Sequence, residues 1–246
     1  SIASTSPQTA EAAQDWAAYF TYNAAHQMAH DWSEDTRLTP AERQTILSSI
    51  QQFQVGENSD GRQLIRRAQA YAARTGDHAY LPALILFIQE EQRHSAYLKR
   101  FMEQQGLPLL TGGHWVDDVF RRIRHLATLE MSIAVLLMAE VIAMTYYRGL
   151  RGATGSPLLR GICRQLLKDE VQHLKFQSET LGKLRRGRAG VVSGAVHWAE
   201  RGLFAGILLV VWQQHGRVYR AGGFGFRRYW AANWRRFERT FGGTNG

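Results

Sequence analysis

Two segments of this chain share one short arrangement, Glu90-Glu91-Gln92-Arg93-His94 and Asp169-Glu170-Val171-Gln172-His173. Each is an acidic residue followed by Glu-x-x-His. On a helix this spacing sets the Glu and His about one turn apart on one face, so a carboxylate and an imidazole can grip one metal ion together. One such unit arises readily by chance. Two of them demand more, because a paired metal site between helices needs both units plus a Glu from each of two further helices, all pointing inward at one height.

The rest of the sequence is compatible with that demand. Apolar residues recur three and four apart in long stretches broken by Gly, Pro and Ser, with almost no alternating β-branched runs, which predicts an all-α fold. Thr39-Pro40-Ala41-Glu42 combines an N-cap, a proline at the first helical position and a Glu three residues after the cap, so a first helix is expected from Thr39 to about Arg74. Thr75-Gly76-Asp77 ends it, and a second helix covers about 78–105 before Gly106-Leu107-Pro108. A third is expected over about 115–151, with Asp117 and Asp118 in its first turn. Ser156-Pro157 opens a fourth that continues to about Leu184. An extra helix is expected over Ala10 to Asp31. After the four come an apolar helix over about 191–216 and a basic aromatic helix from Phe226 to Phe241, separated by Gly222-Gly223-Phe224-Gly225. The chain thus divides into 1–38, a tail with an accessory helix; 39–184, an antiparallel four-helix bundle; and 185–246, a basic, aromatic-rich helical extension.

Ligands on antiparallel neighbours must lie at equal distances from the connecting turn. Glu57 stands 19 residues before Gly76 and Glu91 stands 15 after it, a mismatch of about 6 Å that side-chain reach absorbs. Around a turn near residue 154, Glu140 stands 14 residues before and Glu170 16 after, which leaves about 3 Å. Glu130 is another ten residues out, about 15 Å, and is excluded. Asp60 follows Glu57 by three residues on a similar face and matches Glu91 slightly better, so register leaves both open. Four carboxylates and two imidazoles suit iron or manganese better than copper or structural zinc.

With these residues in place, the chain resembles the ferritin-like di-iron carboxylate superfamily, which includes rubrerythrins, the ribonucleotide reductase small subunit and aldehyde-deformylating oxygenases. The resemblance covers roughly 40–184. It implies a ferritin-like antiparallel four-helix bundle holding two iron ions, with manganese as the other candidate. Glu57 and Glu140 would be the terminal carboxylates, Glu91 and Glu170 the bridging ones, and His94 and His173 the imidazole ligands. Gln54-Val55-Gly56-Glu57 fits the helix-one position, which favours Glu57 over Asp60. Glu90 and Asp169 would accept from the metal-bound imidazoles and orient them. The implied activity is that of a non-haem di-iron oxidase or monooxygenase, acting with dioxygen on a small apolar organic substrate. Ala83, Ile85, Leu86, Ile133, Leu136 and Leu137 are candidates to wall a dry pocket. Tyr147, seven residues after Glu140, is either a packed core tyrosine or a neighbour of the cluster. The chain lacks the cysteine pairs of rubrerythrins, since Cys163 is its one cysteine, so electrons would come from an external donor. Two rivals are an iron- or peroxide-handling protein of the rubrerythrin or ferritin kind, and a non-enzymatic helical protein that binds RNA or membrane.

The single cysteine also rules out a disulfide framework and suggests a reducing, cytoplasmic setting. Residues 1–14 lack the basic and apolar regions of a secretion signal and read as a frayed tail. The longest uncharged apolar run, Gly202 to Trp212, has 11 residues, short of the ~20 of a bilayer-spanning helix but enough for an interfacial one. Charge is uneven: residues 183–246 contribute +10 of the net +9, with 12 Lys and Arg against Glu200 and Glu238, and the remainder carries −1. Arg217, Arg220, Arg227, Arg228, Arg235, Arg236 and Arg239 alternate there with tyrosines, phenylalanines and tryptophans. That composition fits an aromatic seam packed on the body, an anionic membrane surface at which the protein is peripheral, or nucleic acid. His26 and His30, four apart, read as helix surface, and a homodimer is compatible with the whole pattern.

Overall fold

The computed structural model describes residues 15–58, 61–110 and 128–244, and over these residues the chain is all-helical. The elements are α1 (Trp16–Ala25), α2 (Pro40–Glu57), α3 (Arg62–Thr75), α4 (Tyr80–Gln104), α5 (Leu129–Gly152), α6 (Pro157–Arg185), α7 (Gly190–Ala221) and α8 (Phe226–Gly242). Local chemistry sets several of the ends. Thr39 and Glu42 form a reciprocal capping box around Pro40 at the start of α2. Ser156 accepts from the Leu159 amide to start α6.

Three boundaries differ from the expectations. The helix predicted from Thr39 to Arg74 is two helices, because α2 stops at Glu57 and α3 begins after Gly61. Gly61 has φ 62° and lies so close to α4 that an added Cβ would sit 2.3 Å from Cδ1 of Ile88. Both the left-handed backbone and the tight approach select glycine. The second difference is at α5: Thr128, in extended conformation, accepts from the Met131 amide, so α5 starts at Leu129. The expected start of that helix, with Asp117 and Asp118, lies outside the described residues, as does Asp60. Finally, α1 begins at the Asp15 cap and ends at Ala25, short of Asp31. The chain there is diverted onto α6, where the Met28 amide donates to Gln165 at 2.8 Å.

Side-chain pairings reveal the directions of the long helices. Gln54 meets Ser95 and Arg43 meets the Gln105 carbonyl, so α2 and α4 are antiparallel. His94 faces Asp169 while Glu90 faces His173, so α4 and α6 are antiparallel. Glu130 reaches Arg185 at one end of α5 and α6 and Glu140 reaches His173 further along, which makes that pair antiparallel too. Glu42 to Gly155 and Ser49 to Tyr146 set α2 against α5 in the same way. Consequently α2 and α6 run one way and α4 and α5 the other. α1 lies over α4 and α6, its Phe20 packed on Phe87 and Phe176.

The last two helices form a hairpin on the outside of α2 and α5. Arg201 on α7 pairs with Glu238 on α8 near the open end, and the Tyr229 hydroxyl donates to the Leu208 carbonyl midway. Tyr219 packs on Gly149, and at the hairpin turn Gly222 crosses Gly149 and Gly152 backbone to backbone. An added Cβ at Gly222 would lie 2.1 Å from the Gly149 carbonyl oxygen, with no flexible side chain to yield. Gly222→Ala is therefore expected to destabilise the fold by about 2 kcal/mol or more. Gly202→Ala, on open helix surface, should instead raise stability by up to ~1 kcal/mol through helix propensity. Thermal or urea unfolding of the two variants checks the opposite signs.

Candidate metal centre

The two acid-Glu-x-x-His units sit side by side on α4 and α6. Ligand atoms of Glu91, His94, Glu170 and His173 all lie within 4.8 Å of one another. Glu140 joins them from α5, its Oε2 3.8 Å from Nδ1 of His173. Glu57 joins from the last turn of α2, where its carboxylate meets that of Glu91. Six side chains from four helices thus converge in one place. Glu130 is elsewhere, ion-paired to Arg185 and Arg188. His26 stacks on Tyr22 just beyond the end of α1, and His30 packs against Tyr97.

The orientation of both imidazoles is determined by exchange between the two units. Nε2 of His94 on α4 lies 3.1 Å from Oδ2 of Asp169 on α6. Nε2 of His173 on α6 lies 3.1 Å from Oε2 of Glu90 on α4. A carboxylate only accepts, so each Nε2 carries a proton and each Nδ1 is turned toward the other carboxylates of the cluster. Glu90 and Asp169 are legible from the motif, but the neighbours that hold them are not. Asn23 of α1 donates to both carboxylates, reaching Asp169 at 2.8 Å. Gln165, one turn before Asp169, donates to it at 2.7 Å, and Arg93 reaches Glu90 at 3.3 Å. Asn23 was visible as the one polar residue of the stripe Trp16, Phe20, Asn23 that α1 buries. Tyr147 is buried and also donates to Oε1 of Glu57, so it combines both roles considered for it.

Burial makes the arrangement costly without a counter-charge. His94, Glu170, His173, Glu90 and Asp169 are all 0% exposed. Burial, then the charge of Glu91, pushes the Glu57 carboxyl well above the usual carboxylate range. Burial and the neighbouring Glu140 do the same to Glu170. For His173, burial favours the neutral ring, but Glu91, Glu140, Glu170 and Glu90 together raise the imidazole well above its ordinary value. Glu140 is held low despite its burial by contacts with Glu170 and His173. Glu90 and Asp169 are likewise low against burial, each through the histidine it faces.

Six buried polar atoms of this cluster make no hydrogen bond: Oε1 of Glu91, Nδ1 of His94, Oε1 of Glu140, both oxygens of Glu170 and Nδ1 of His173. The Nδ1 of His173 is 2.8 Å from Oε1 of Glu91 but lacks hydrogen-bond direction. Unpaired buried acceptors of this kind cost on the order of 1–3 kcal/mol each unless something satisfies them. A donor set of four carboxylates and two neutral imidazole nitrogens, with the outer nitrogens already occupied, fits hard divalent cations. Phe20 and Phe87 close one side by packing on the His173 ring, with Phe87 at 4.7 Å between centroids. Of the six residues expected to wall a pocket, Ala83, Ile133 and Leu137 are buried, Leu86 and Leu136 are partly buried, and Ile85 is exposed and is dropped.

No family model, curated protein or solved structure matches this chain, so the site is read from its own geometry. The exchange between α4 and α6 generates a direct test. Asp169→Asn replaces the acceptor facing His94 with a group that can present a donor, and should weaken ferrous iron binding about 10- to 100-fold. Isothermal titration against the parent protein checks this, and circular dichroism should show helicity unchanged.

Proposed function

We propose that the chain is a ferritin-like di-iron protein that uses dioxygen to oxidise a small organic substrate. What carries the reading is the concentration of unsatisfied buried acceptor atoms, from Glu91, His94, Glu140, Glu170 and His173, at one point between the helices. A ferritin-like four-helix bundle is supported by the alternating directions of α2, α4, α6 and α5 and by a ligand residue on each of them.

In this reading Glu57, Glu91, His94, Glu140, Glu170 and His173 would hold the two ions between them. A pair of ferrous ions held there would supply electrons for reducing dioxygen while an organic substrate is oxidised. The protein's own part is placement and proton control. Glu90 and Asp169 keep both imidazoles in the tautomer that offers Nδ1. Tyr147 engages one oxygen of Glu57, which turns the rest of that carboxylate toward Glu91. The aromatic wall of Phe20 and Phe87 and the buried Ala83, Ile133 and Leu137 limit water and suit an apolar substrate. Replenishing electrons falls to an external donor, because Cys163 is a lone buried thiol.

Anaerobic reconstitution with ferrous iron, followed by metal counting and optical spectroscopy on exposure to oxygen, tests the proposal. Two ions per chain and an absorption change that appears with oxygen are expected, and a protein that takes up neither iron nor manganese would sink it. Glu170→Ala should lose one or both ions. Glu130→Ala should keep its metal yet unfold at lower temperature, since it removes the carboxylate that Arg185 and Arg188 share. Equal metal loss in the two variants would contradict the assigned ligands.

Proton linkage gives a second test. Glu57, Glu170 and His173 all have raised values and so retain protons in metal-free protein at pH values where they would ordinarily lose them. Their contribution to stability is full at low pH and is lost as pH rises through the folded values. Adding ferrous iron at neutral pH should therefore release protons, and iron affinity should increase with pH. Titrations in buffers of different ionisation enthalpy measure the release, which Glu170→Gln should reduce.

A further inference from the structure

The most unusual surface lies away from the metal cluster, on α7. Among the described residues, two helices, Leu129–Gly152 and Gly190–Ala221, are long and apolar enough to cross a membrane. Charged residues interrupt both, so neither holds an uncharged run of bilayer-spanning length. The two are buried very differently, 72% of the first window against 17% of the second. The first is α5, an interior helix that contributes Glu140 and Tyr147. The second is α7, whose apolar residues are largely outside.

Those exposed residues share one face. Val191, Ala195, Trp198, Gly202, Gly206 and Leu209 recur at spacings of three and four, and Val191, Trp198 and Leu209 are 87%, 70% and 54% exposed. From Val191 to Leu209 the stripe is about 27 Å long. The opposite face is unavailable to lipid, because Phe204, Leu208, Val218 and Tyr219 are fully buried against the body and α8. α7 is thus placed to lie on an apolar phase and not to pass through one. α8 extends the surface: Phe226 is 40% exposed, Trp230 and Trp234 stack at 5.8 Å along its edge, and Leu209, Phe226, Arg227 and Trp230 border a cleft of about 450 Å³.

Charge selects the partner. The acids of residues 183–246, Glu200 and Glu238, are both engaged by arginines, Arg185 and Arg201. Exposed Arg217 and Arg220 stand at the end of the α7 face beside Gln44 and Thr45, while Arg227, Arg228, Arg235 and Arg239 are exposed on α8. A second copy seated here would bring another +10 segment against the first. Nucleic acid would satisfy the arginines but has no use for Val191, Val192, Leu203 and Leu209, which offer no ring on which a base can stack. An anionic bilayer surface matches both features at once, with apolar side chains among acyl chains and arginines at phosphate level.

We infer that the α7–α8 hairpin docks this protein on an anionic membrane surface, through the Val191–Leu209 stripe and the exposed arginines of both helices. The inference does not depend on the metal reading, and the test uses the full chain without added metal. In flotation assays, vesicles of phosphatidylcholine with about 30% phosphatidylglycerol should bind the protein, pure phosphatidylcholine should bind it weakly, and raising salt from about 0.1 M should release it. Trp198→Ser combined with Leu209→Ser, both on open surface, should lower binding at least ~10-fold with the same thermal unfolding. Arg227→Glu combined with Arg235→Glu should abolish the preference for anionic vesicles. The inference is overturned by failure to bind anionic vesicles at low salt, by equal binding of the Trp198/Leu209 variant, by single-stranded RNA displacing the vesicles, or by a dimer that this variant converts to monomer.

Discussion

The interior of this protein is organised around a reciprocal exchange, in which α4 supplies the acceptor for a histidine of α6 and α6 supplies the acceptor for a histidine of α4. Each unit, an acid with Glu-x-x-His, is incomplete alone. Its acid lies four residues before its His, on nearly the same face, so acid and His reach the opposite helix together. Antiparallel pairing is required, because only then does residue 90 meet 173 while 94 meets 169. The same four side chains therefore fix the register of two helices and the tautomers of two rings. Asn23 ties the pair to α1 by donating to both carboxylates, which gives the accessory helix a defined place.

Burying so many charges needs compensation, and it comes in two tiers. The outer tier is complete within the chain: Glu90 and Asp169 are met by histidines, Asn23, Gln165 and Arg93, and both carboxyls stay low despite burial. The inner tier is left open, with Glu57 and Glu170 pushed up and acceptor atoms unmatched. If stability alone had shaped this interior, apolar residues of similar volume would serve as well or better, since buried charges seldom repay their desolvation. A satisfied outer tier around an unsatisfied inner one is the pattern of a site that recruits its counter-charge from solution.

Much of this was legible in the sequence because helical spacing is a strong constraint. The two units, the capping box at Thr39 and the Ser156-Pro157 start of α6 depend on residues within one turn of one another, and the structure has them as expected. The break after Glu57 was not legible. It depends on Gly61 meeting Ile88 across the α2–α4 interface, a tertiary contact that leaves no local trace beyond one glycine. Because the chain breaks between Glu57 and Gly76, the encounter of Glu57 with Glu91 follows from α2 packing on α4 and not from their distances to that turn. Thr128 carries a cap signal that competes in the sequence with Asp117 and Asp118, which lie outside the described residues. Asn23 and Gln165 were missed since amides have no spacing rule, and only burial reveals them as donors to the buried acids.

The C-terminal hairpin and the candidate metal centre are joined through consecutive residues of α5. Tyr147 turns toward Glu57, whereas Tyr146 turns outward to Ser49, whose hydroxyl also lies 2.8 Å from Nδ1 of His215 on α7. One turn on, Gly149 receives Tyr219 and Gly222 at backbone contact. Close-packed interiors pass displacement along such contacts because no slack is available to absorb it. A force that shifts α7 against the body would act first on His215 and Gly222, then on α5, and through Tyr147 on the carboxylate of Glu57. The apolar face of α7 is therefore joined by close packing to the Glu57 carboxylate of α2, which a loosely appended tail would not be.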